Sequence, residues 1–317
     1  IIIDIMATDL GLSDSLITKL FEAPTDPQEW IDLSLNESQI LQFKELGYLH
    51  GIKILNEFQI KALSEQLHEM VNPEHDGNEF FYEYHSNESE DPETAIFHAL
   101  GAWRVRPAFH DILWCPAFQI AAYQLLGGDF RLFHDQLFSK PPKHGGVVAW
   151  HQDYSYWTWT TPMSHLTCWI GLDKVDQENG CMYYIPRSHQ WGLLKKESLT
   201  GNMDAIRDKL TPEQVSDFDD KVPIEMNAGE ASFHHPLLMH GSYENRSDRG
   251  RRATLINVFS DGVVSNRDND GSNAPGADNY PKVPKGEKMS GSYYPLLMEA
   301  EKSLGKIANK IPTIKDL

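Results

Sequence analysis

The sequence is short of positive charge. Its 317 residues include 28 Lys and Arg against 46 Asp and Glu, which gives a formal net charge of −18 at pH 7. Nucleic acids and anionic membrane surfaces are bound through basic faces, so this balance argues against both kinds of partner. The acidity favours solubility and says little about the substrate.

Cysteine is scarce as well. The three cysteines, Cys115, Cys168 and Cys181, lie 53 and 13 residues apart along the chain. That spacing fits neither a zinc cluster nor a dense disulfide framework. We therefore expect reduced thiols and a cytoplasmic location.

Long apolar runs are also missing. The first residues have no basic group, and Asp4 interrupts their apolar run, so they do not match the apolar region of a secretory leader. No stretch reaches the ~20 apolar residues of a membrane span. We expect no membrane partner, and no pattern in the sequence indicates an oligomeric state.

What the sequence does have is the composition of a globular protein. Hydrophobic residues make up 40% of the chain and include eight tryptophans, enough to bury a sizeable core. We predict one domain over residues 1–317. Its parts are a helical N-terminal elaboration to about 117, a β core over about 118–260, and a lid-like loop with a C-terminal helix over about 261–317.

Helix signals are clearest near the N-terminus. Asn36 and Gln39 match a capping box, apolar residues follow at helical spacing, and Gly47 stands where a helix would stop. Asn56 is placed to cap a second helix, which Pro73 would end. The predicted elements are a helix over 37–46, a strand over 48–55, a helix between 56 and 73, and a polar surface loop over 72–95.

From about residue 118 the pattern becomes short apolar runs broken by Gly, Pro and Asp. Such a pattern is typical of an antiparallel β sandwich or barrel. Thr211 and Pro212 predict the start of one further helix. A connection as long and polar as residues 261–288 is either a functional lid or disordered. The predicted strands are 131–138, 147–150, 165–172, 181–185, 230–233 and 252–259.

The first functional signal is His151-Gln152-Asp153. On extended backbone the side chains of His151 and Asp153 point to the same face, about 6–7 Å apart at their Cα atoms, so both can reach one metal ion. Alone the pattern is weak, because a surface hydrogen-bonded pair looks the same. A second, distant histidine would complete a 2-His-1-carboxylate triad, which holds Fe(II) and leaves positions open for co-substrate and oxygen.

The second signal is His240-Gly241-Ser242, followed eleven residues after His240 by Arg251. Arg251 begins an alternating strand, and if its face looks into the barrel the buried cation needs an anion. The distal carboxylate of 2-oxoglutarate would satisfy it through a bidentate pair. Alternation turns Arg252 outward, so Arg252 is less favoured than Arg251 as the partner of this carboxylate. The residues predicted to share the inner face are Arg251, Ala253, Leu255, Asn257 and Phe259.

Two other histidines compete with His240 as the distal ligand. His234 and His235 both lie near the end of a predicted core strand. We favour His240 because it alone is followed directly by a Gly-Ser pair and, eleven residues later, by an arginine.

Taken together, these stretches resemble the phytanoyl-CoA dioxygenase family of Fe(II)/2-oxoglutarate oxygenases. The resemblance spans about 120 residues in order and spacing, and the segment around Gly47 also fits the N-terminal region of the family. It implies a mainly β fold, a double-stranded β-helix (jelly-roll, cupin-like) core with flanking N-terminal α-helices. The matching stretches are residues 135–142, 150–153, 165–172, 178–181, 185–189 and 240–253.

The resemblance also implies roles for individual residues. Arg251 would bind the C5 carboxylate of 2-oxoglutarate with help from Ser242, and Trp169 and Thr167 would line or donate to the co-substrate pocket. Trp169 as a plain core aromatic and Gln136 as an ordinary strand residue remain open beside their pocket roles. The implied metal ligands are His151, Asp153 and His240, and the implied cofactor-binding residues are Arg251, Trp169, Ser242, Thr167 and Gln136.

An aromatic run follows the metal ligands. Trp157 is the best candidate for a wall that stacks on the substrate, with core packing as the alternative. Tyr154 and Phe259 are the other candidate substrate contacts.

The implied activity is hydroxylation of an unactivated C–H bond of a small-molecule metabolite, using Fe(II), 2-oxoglutarate and O2 and releasing succinate and CO2. Related halogenases replace the carboxylate ligand with a small residue, so Asp153 disfavours halogenation over hydroxylation. Acyl-CoA, amino-acid and secondary-metabolite substrates all remain open. The alternatives are a non-catalytic jelly-roll metal-binding protein, or a zinc-dependent hydrolase with the same ligands.

Overall fold

The computed structural model describes residues 7–268 and 279–317. The helices are α1 (Pro27–Leu33), α2 (Glu37–Leu46), α3 (Glu57–Met70), α4 (Pro107–Asp111), α5 (Pro116–Leu126), α6 (Pro212–Asp219) and α7 (Ala300–Ser303). The strands are β1 (Tyr48–Lys53), β2 (Glu83–His85), β3 (Phe97–Leu100), β4 (Phe130–Lys140), β5 (Val148–His151), β6 (Thr160–Thr161), β7 (His165–Gly171), β8 (Met182–Tyr184), β9 (Val222–Ile224), β10 (Glu230–His234), β11 (His240–Ser242), β12 (Arg251–Ser260), β13 (Val264–Ser265) and β14 (Leu296–Met298).

Two antiparallel sheets form the core. The major sheet has the order β1-β10-β7-β12-β4-β3-β2, with β14 also paired to β4, and the minor sheet has the order β5-β11-β8-β9. One apolar cluster contains Trp169 and Leu255 of the major sheet together with Tyr184 and Ile224 of the minor sheet. The inner faces of the sheets therefore pack against each other, as in a jelly roll.

Alternation along β12 separates two layers of apolar packing. Ala253 and Leu255 belong to the cluster between the sheets. Ile256 and Val258 belong to a larger cluster that the major sheet shares with α5 and the N-terminal helices. Helices thus cover the outer face of the major sheet and leave its inner face to the space between the sheets.

The predicted helix over 37–46 is confirmed at both ends. The Asn36 side chain accepts the Gln39 N–H while the Gln39 side chain accepts the Asn36 N–H, which completes the capping box. Gly47 ends the helix in the left-handed region at φ 84°. Helices α3 and α6 and the predicted core strands are also present, with ends that differ from the predictions by at most about two residues.

The predicted start of the β core at about 118 is wrong, because α5 occupies residues 118–126. This helix is buried on nearly every side between the sheet and α1, so its apolar residues do not mark out one face. The major sheet also takes β1, β2 and β3 from the predicted N-terminal elaboration. Of these strands β1 was predicted, as the strand over 48–55, whereas β2 and β3 were not. In particular, β2 lies inside the predicted surface loop 72–95 and pairs with β3.

The predicted lid over 261–288 falls partly outside the described residues, because 269–278 are not among them. On its N-terminal side, β13 pairs with β6. On its C-terminal side, Tyr280 is buried in an aromatic cluster with Phe133 and Trp159. The predicted C-terminal helix is α7, which is short and continues into the 3-10 helix Gly305–Lys310.

All three cysteines are buried with free thiols. Within the residues that the structure describes, no helix combines the length and the apolar character needed to cross a membrane.

Two glycines with positive φ allow a test of the α2 cap. A Cβ on Gly47 (φ 84°) would lie 2.5 Å from His189 Nδ1, whereas a Cβ on Gly51 (φ 76°) would meet nothing within 4 Å. Gly51→Ala should cost about 1–2 kcal/mol from the left-handed backbone alone. Gly47→Ala should cost about 1–3 kcal/mol more because the cap is also crowded. Urea unfolding of both variants measures the difference, and equal losses would contradict this account of the cap.

Candidate metal centre and cavity

Two neighbouring strands of the minor sheet bring the predicted histidine ligands together. His151 at the end of β5 lies directly opposite His240 at the start of β11, and their ring centroids are 4.1 Å apart. Asp153 follows at the start of the 3-10 helix Asp153–Tyr156. The side chain of the intervening Gln152 donates instead to the carbonyls of Gly192 and Leu237. The expected same-side placement of His151 and Asp153 is therefore present.

Backbone carbonyls fix the tautomer of both histidines. His151 Nδ1 lies 2.7 Å from the Ala149 carbonyl oxygen, and His240 Nδ1 lies 2.8 Å from that of Leu238. A carbonyl oxygen only accepts, so each Nδ1 carries the proton and each Nε2 keeps its lone pair for a metal. The Nε2 atoms of His151 and His240 lie 3.5 and 3.4 Å from Asp153 Oδ1. The three ligand atoms lie within 4.8 Å of one another, so this group can hold a metal ion.

The second oxygen of Asp153 is held by hydrogen bonds. Oδ2 accepts from the Thr167 hydroxyl at 2.7 Å and lies 3.0 Å from His234 Nε2. Burial raises the pKa of Asp153, but the imidazoles of His240, His151 and His234 more than offset it and hold that pKa well below its usual value. Asp153 is therefore ionised, with Oδ1 turned towards the two histidines. His234, the competing ligand candidate, contacts the carboxylate rather than joining the triad.

A cavity of about 300 Å³ opens from the triad between the two sheets. It is large enough for small molecules beside a metal ion. The predicted site residues that line it are His151, Asp153, His240, Arg251, Trp169, Gln136 and Trp157.

Arg251 is the least compensated charge in this cavity. It is 1% exposed, its Cζ lies 5.0 Å above the Trp169 ring, and Nη2 reaches only Met182 Sδ at 3.7 Å. Its Nε and Nη1 have no hydrogen-bond partner among the described residues. Burial lowers the pKa of Arg251 to about 10. Arg252 points outward and pairs with Asp173, as alternation predicted.

Lys140 is a second buried cation, and we did not predict it as a site residue. Its Nζ donates to Ser242 Oγ at 2.7 Å and to the Tyr243 carbonyl at 2.7 Å. Burial, and after it the charge of Arg251, lower the pKa of Lys140 well below its usual value. Gln136, Phe138 and Lys140 are two residues apart along β4, so their side chains lie on the same face of the strand. This alternation could have predicted that Lys140 points between the sheets.

Two predicted co-substrate residues face other partners. The hydroxyl of Ser242 is bound to Lys140, and Ser242 does not line the cavity. Thr167 lies on the predicted face of β7, but its hydroxyl donates to Asp153 Oδ2 and lies 2.8 Å from Asn257 Oδ1. Both hydroxyls are thus engaged by neighbouring buried polar groups, and their contacts with 2-oxoglutarate stay predictions.

Two of the three candidate substrate contacts also lie outside the cavity. The Tyr154 hydroxyl donates to the Thr160 carbonyl, and Phe259 is fully buried between Phe133 and Tyr294. Both belong to the aromatic cluster that contains Phe133 and Trp159. Trp157, the third candidate, does line the cavity.

Two carboxylates in the cavity wall were not predicted from the sequence. Glu83 on β2 and Glu88 just after it both line the cavity, although residues 72–95 were predicted to be surface loop. That stretch has no hydrophobic alternation to mark an edge strand, so nothing in the sequence pointed to them.

Comparison with known proteins gives a family match. Residues 43–253 match the model of the family described as Phytanoyl-CoA dioxygenase (PhyH). A phytanoyl-CoA dioxygenase of Arabidopsis thaliana is 27% identical over 268 residues, covering 74% of this chain and 93% of that protein. A methylphosphonate hydroxylase of Gimesia maris is 25% identical over 230 residues, covering 71% of this chain and 81% of that protein.

Solved structures show the same fold. The non-heme alpha ketoglutarate dependent carbocyclase SnoK from nogalamycin biosynthesis superposes with a TM-score of 0.67 at 22% identity, covering 87% of this chain and all of that one. EctD from S. alaskensis, solved with 2-oxoglutarate and 5-hydroxyectoine, superposes with a TM-score of 0.64 at 16% identity, covering 93% and 94%. The predicted jelly-roll fold is confirmed.

The family model covers residues 43–253, which is about two thirds of the 317-residue chain and includes β1 to β11 and the first residues of β12. The triad and Arg251 all fall inside this match. The chain therefore belongs to the phytanoyl-CoA dioxygenase family, which confirms both the predicted family and the predicted kind of enzyme, a 2-oxoglutarate-dependent non-haem iron dioxygenase.

Proposed function

We propose that the protein hydroxylates an unactivated C–H bond of a small-molecule metabolite, using O2 and 2-oxoglutarate and releasing succinate and CO2. One observation carries the proposal: the triad and an uncompensated arginine share one cavity. When bound, iron and 2-oxoglutarate would supply the oxidising chemistry. The chain's own residues hold, orient and enclose the reactants.

The metal ligands in this proposal are His151, Asp153 and His240. Two imidazole nitrogens and one carboxylate oxygen are the donor set of a facial triad, which leaves positions free for co-substrate and oxygen. The carbonyls behind both imidazoles orient the Nε2 lone pairs. The retained carboxylate of Asp153 also favours hydroxylation over halogenation.

Arg251 is the proposed partner of the distal carboxylate of 2-oxoglutarate. A buried guanidinium without an anion is costly, by several kcal/mol after relaxation, so the cavity favours an anionic occupant. Nε and Nη1 have no hydrogen-bond partner among the described residues, and Nη2 has the weak acceptor Met182 Sδ. Either of the first two can combine with Nη2 to bind both oxygens of a carboxylate in bidentate geometry. Trp169 supports the guanidinium from below. Gln136 lines the same space and can contact either co-substrate or substrate.

The acidic composition and the free cysteines support the further proposal that the enzyme works in the cytoplasm on small molecules.

The direct test is spectroscopic. Fe(II) and then 2-oxoglutarate are added to the metal-free protein under nitrogen, and the weak visible charge-transfer band of the chelate is measured. The band should appear, and admitting air should release succinate. Asp153→Ala should abolish both, because it removes one of three ligands. Tight zinc binding without the band would favour the hydrolase alternative, and unchanged product from Asp153→Ala would refute the ligand assignment.

Neighbouring arginines on opposite faces of β12 test the co-substrate site. Arg251→Met removes the proposed carboxylate partner and should weaken 2-oxoglutarate binding by about 2–5 kcal/mol, at least about 30-fold in Kd. Arg252→Met loses only an outward ion pair with Asp173 and should change Kd less than about twofold. The charge-transfer band gives both affinities, and equal effects would contradict the assignment.

The hydrogen bond that anchors Asp153 is tested by isosteric Thr→Val substitutions at two buried threonines. Thr167→Val removes a hydrogen bond to Oδ2 and should weaken metal binding about 10–100-fold. Thr254→Val is the control, because Thr254 is equally buried and its hydroxyl has no hydrogen-bond partner among the described residues. Metal competition with a chelator measures both affinities. A Thr167→Val affinity equal to that of Thr254→Val would remove Thr167 from the metal site.

A further inference from the structure

The part of the cavity farthest along the major sheet from Arg251 carries negative charge. Glu83 lies on the edge strand β2, whereas Arg251 lies on β12, with β3 and β4 between them. Three strand spacings correspond to about 14 Å. The Arg251 guanidinium also lies over Trp169 of β7, on the side away from β3. This end of the cavity is therefore distinct from the proposed 2-oxoglutarate site.

Glu83 and Glu88 are largely withdrawn from solvent. Their side chains are 26% and 25% exposed, and both line the cavity. Glu88 Oε2 lies 2.6 Å from His98 Nδ1, and the nearest basic group to Glu83 is His85 Nε2 at 3.6 Å. Burial raises the pKa of Glu88, but His98 and His85 more than offset it and lower that pKa overall. Glu88 is therefore a carboxylate at neutral pH.

His98 adds an unused polar atom to this end. Its side chain is 6% exposed and lines the cavity, stacked on Phe138 with ring centroids 4.2 Å apart. Its Nε2 is buried with no hydrogen-bond partner among the described residues. With Nδ1 turned to the Glu88 carboxylate, Nε2 is placed to accept a hydrogen bond from an occupant.

The facing walls at this end are aromatic. Trp157, Trp159 and Tyr280 are buried and line the cavity together with Phe133. Tyr280 lies close enough to Glu83 that this carboxylate adds to the burial that raises the Tyr280 pKa. Aromatic rings and carboxylates that line the same space form the kind of environment that binds organic cations.

A lysine in the cavity lining does not balance the charge of these carboxylates. Lys196 lines the cavity, but it is an exposed residue and its Nζ lies 4.4 Å above the Tyr156 ring. Solvent therefore screens its charge far more than that of the two carboxylates. Lys196 also places a cation on Tyr156, another aromatic ring of the cavity lining, which is the kind of contact that a cationic ligand would make.

We propose that the substrate is a small organic cation whose positively charged nitrogen binds between Glu83, Glu88 and the aromatic wall of Trp157, Trp159 and Tyr280. This inference rests on the proposed hydroxylase function and adds the substrate class. It differs from the substrates named for two relatives, phytanoyl-CoA and methylphosphonate, which are anions. Two inward carboxylates would repel either of them.

The test compares probes of equal shape and different charge. Choline, its neutral isostere 3,3-dimethylbutan-1-ol and the anion 3,3-dimethylbutanoate are titrated into the protein loaded with Fe(II) and 2-oxoglutarate under nitrogen. Isothermal titration calorimetry measures each Kd. Choline should bind at least about tenfold more tightly than the alcohol, as expected for a desolvated cation on aromatic rings, and the carboxylate should bind most weakly.

Glutamine variants assign the preference to residues. Glu83→Gln and Glu88→Gln keep the side-chain shape, and each should weaken choline binding about 5–10-fold while leaving the alcohol unchanged. Glu79→Gln is the matched control, because Glu79 is exposed in the neighbouring turn and does not line the cavity. It should leave all three affinities unchanged.

The inference is overturned if the alcohol binds as tightly as choline, if the carboxylate binds best, if no probe binds, or if Glu79→Gln has the same effect as the other two variants. The charge-transfer band separates this failure from a failure of the proposed function. A band without cation preference overturns the substrate class alone. Cation preference without a band leaves the cation site standing and overturns the hydroxylase.

Discussion

The pairing of β5 with β11 is the constraint on which the site depends. It sets His151 opposite His240, and carbonyls two residues before each histidine fix both imidazoles with Nε2 free. A slip of one residue in this register would turn one imidazole to the opposite face of the sheet. The metal centre is therefore a property of sheet register, to which the segment after β5 adds only Asp153.

Asp153 is held from the opposite sheet. Thr167 on β7 and His234 on β10 are cross-strand neighbours in the major sheet, and both contact Asp153 Oδ2. Two histidines from one sheet thus meet a carboxylate positioned by the other. The site is complete only when both sheets are packed, so its geometry depends on the apolar cluster between them.

The sequence predicted the parts of this arrangement that follow from local periodicity. Alternation along β12 placed Arg251 inside and Arg252 outside, and the capping box with Gly47 fixed both ends of α2. What it could not predict were contacts between distant buried polar groups. Ser242 meets Lys140 across 102 residues, and Thr167 meets Asp153 from a different sheet. Parity gave the face of Thr167 correctly, but only the three-dimensional packing decides which group takes its hydroxyl.

Helix α5 and the cavity carboxylates were not predicted because local periodicity does not reveal them. Helix α5 is apolar almost all round because helices and sheet enclose it, so it lacks the single apolar face that identifies a helix in sequence. Glu83 lies in a polar stretch whose strand is only three residues long. A strand so short carries too few residues for alternation to be visible.

The two buried cations, Lys140 and Arg251, differ in the acceptors that surround them. An ammonium has three donors, and Lys140 Nζ has three oxygens within reach, at 2.7, 2.7 and 3.4 Å from Ser242 and Tyr243. The hydrogen bonds of Lys140 are thus supplied by the fold itself, and they tie the end of β4 to β11. Arg251, on the strand beside it, has a sulfur and an aromatic ring but no oxygen partner among the described residues. A buried cation without an oxygen acceptor is costly, so the environment of Arg251 supports its proposed pairing with an anionic ligand, whereas Lys140 has its acceptors within the fold.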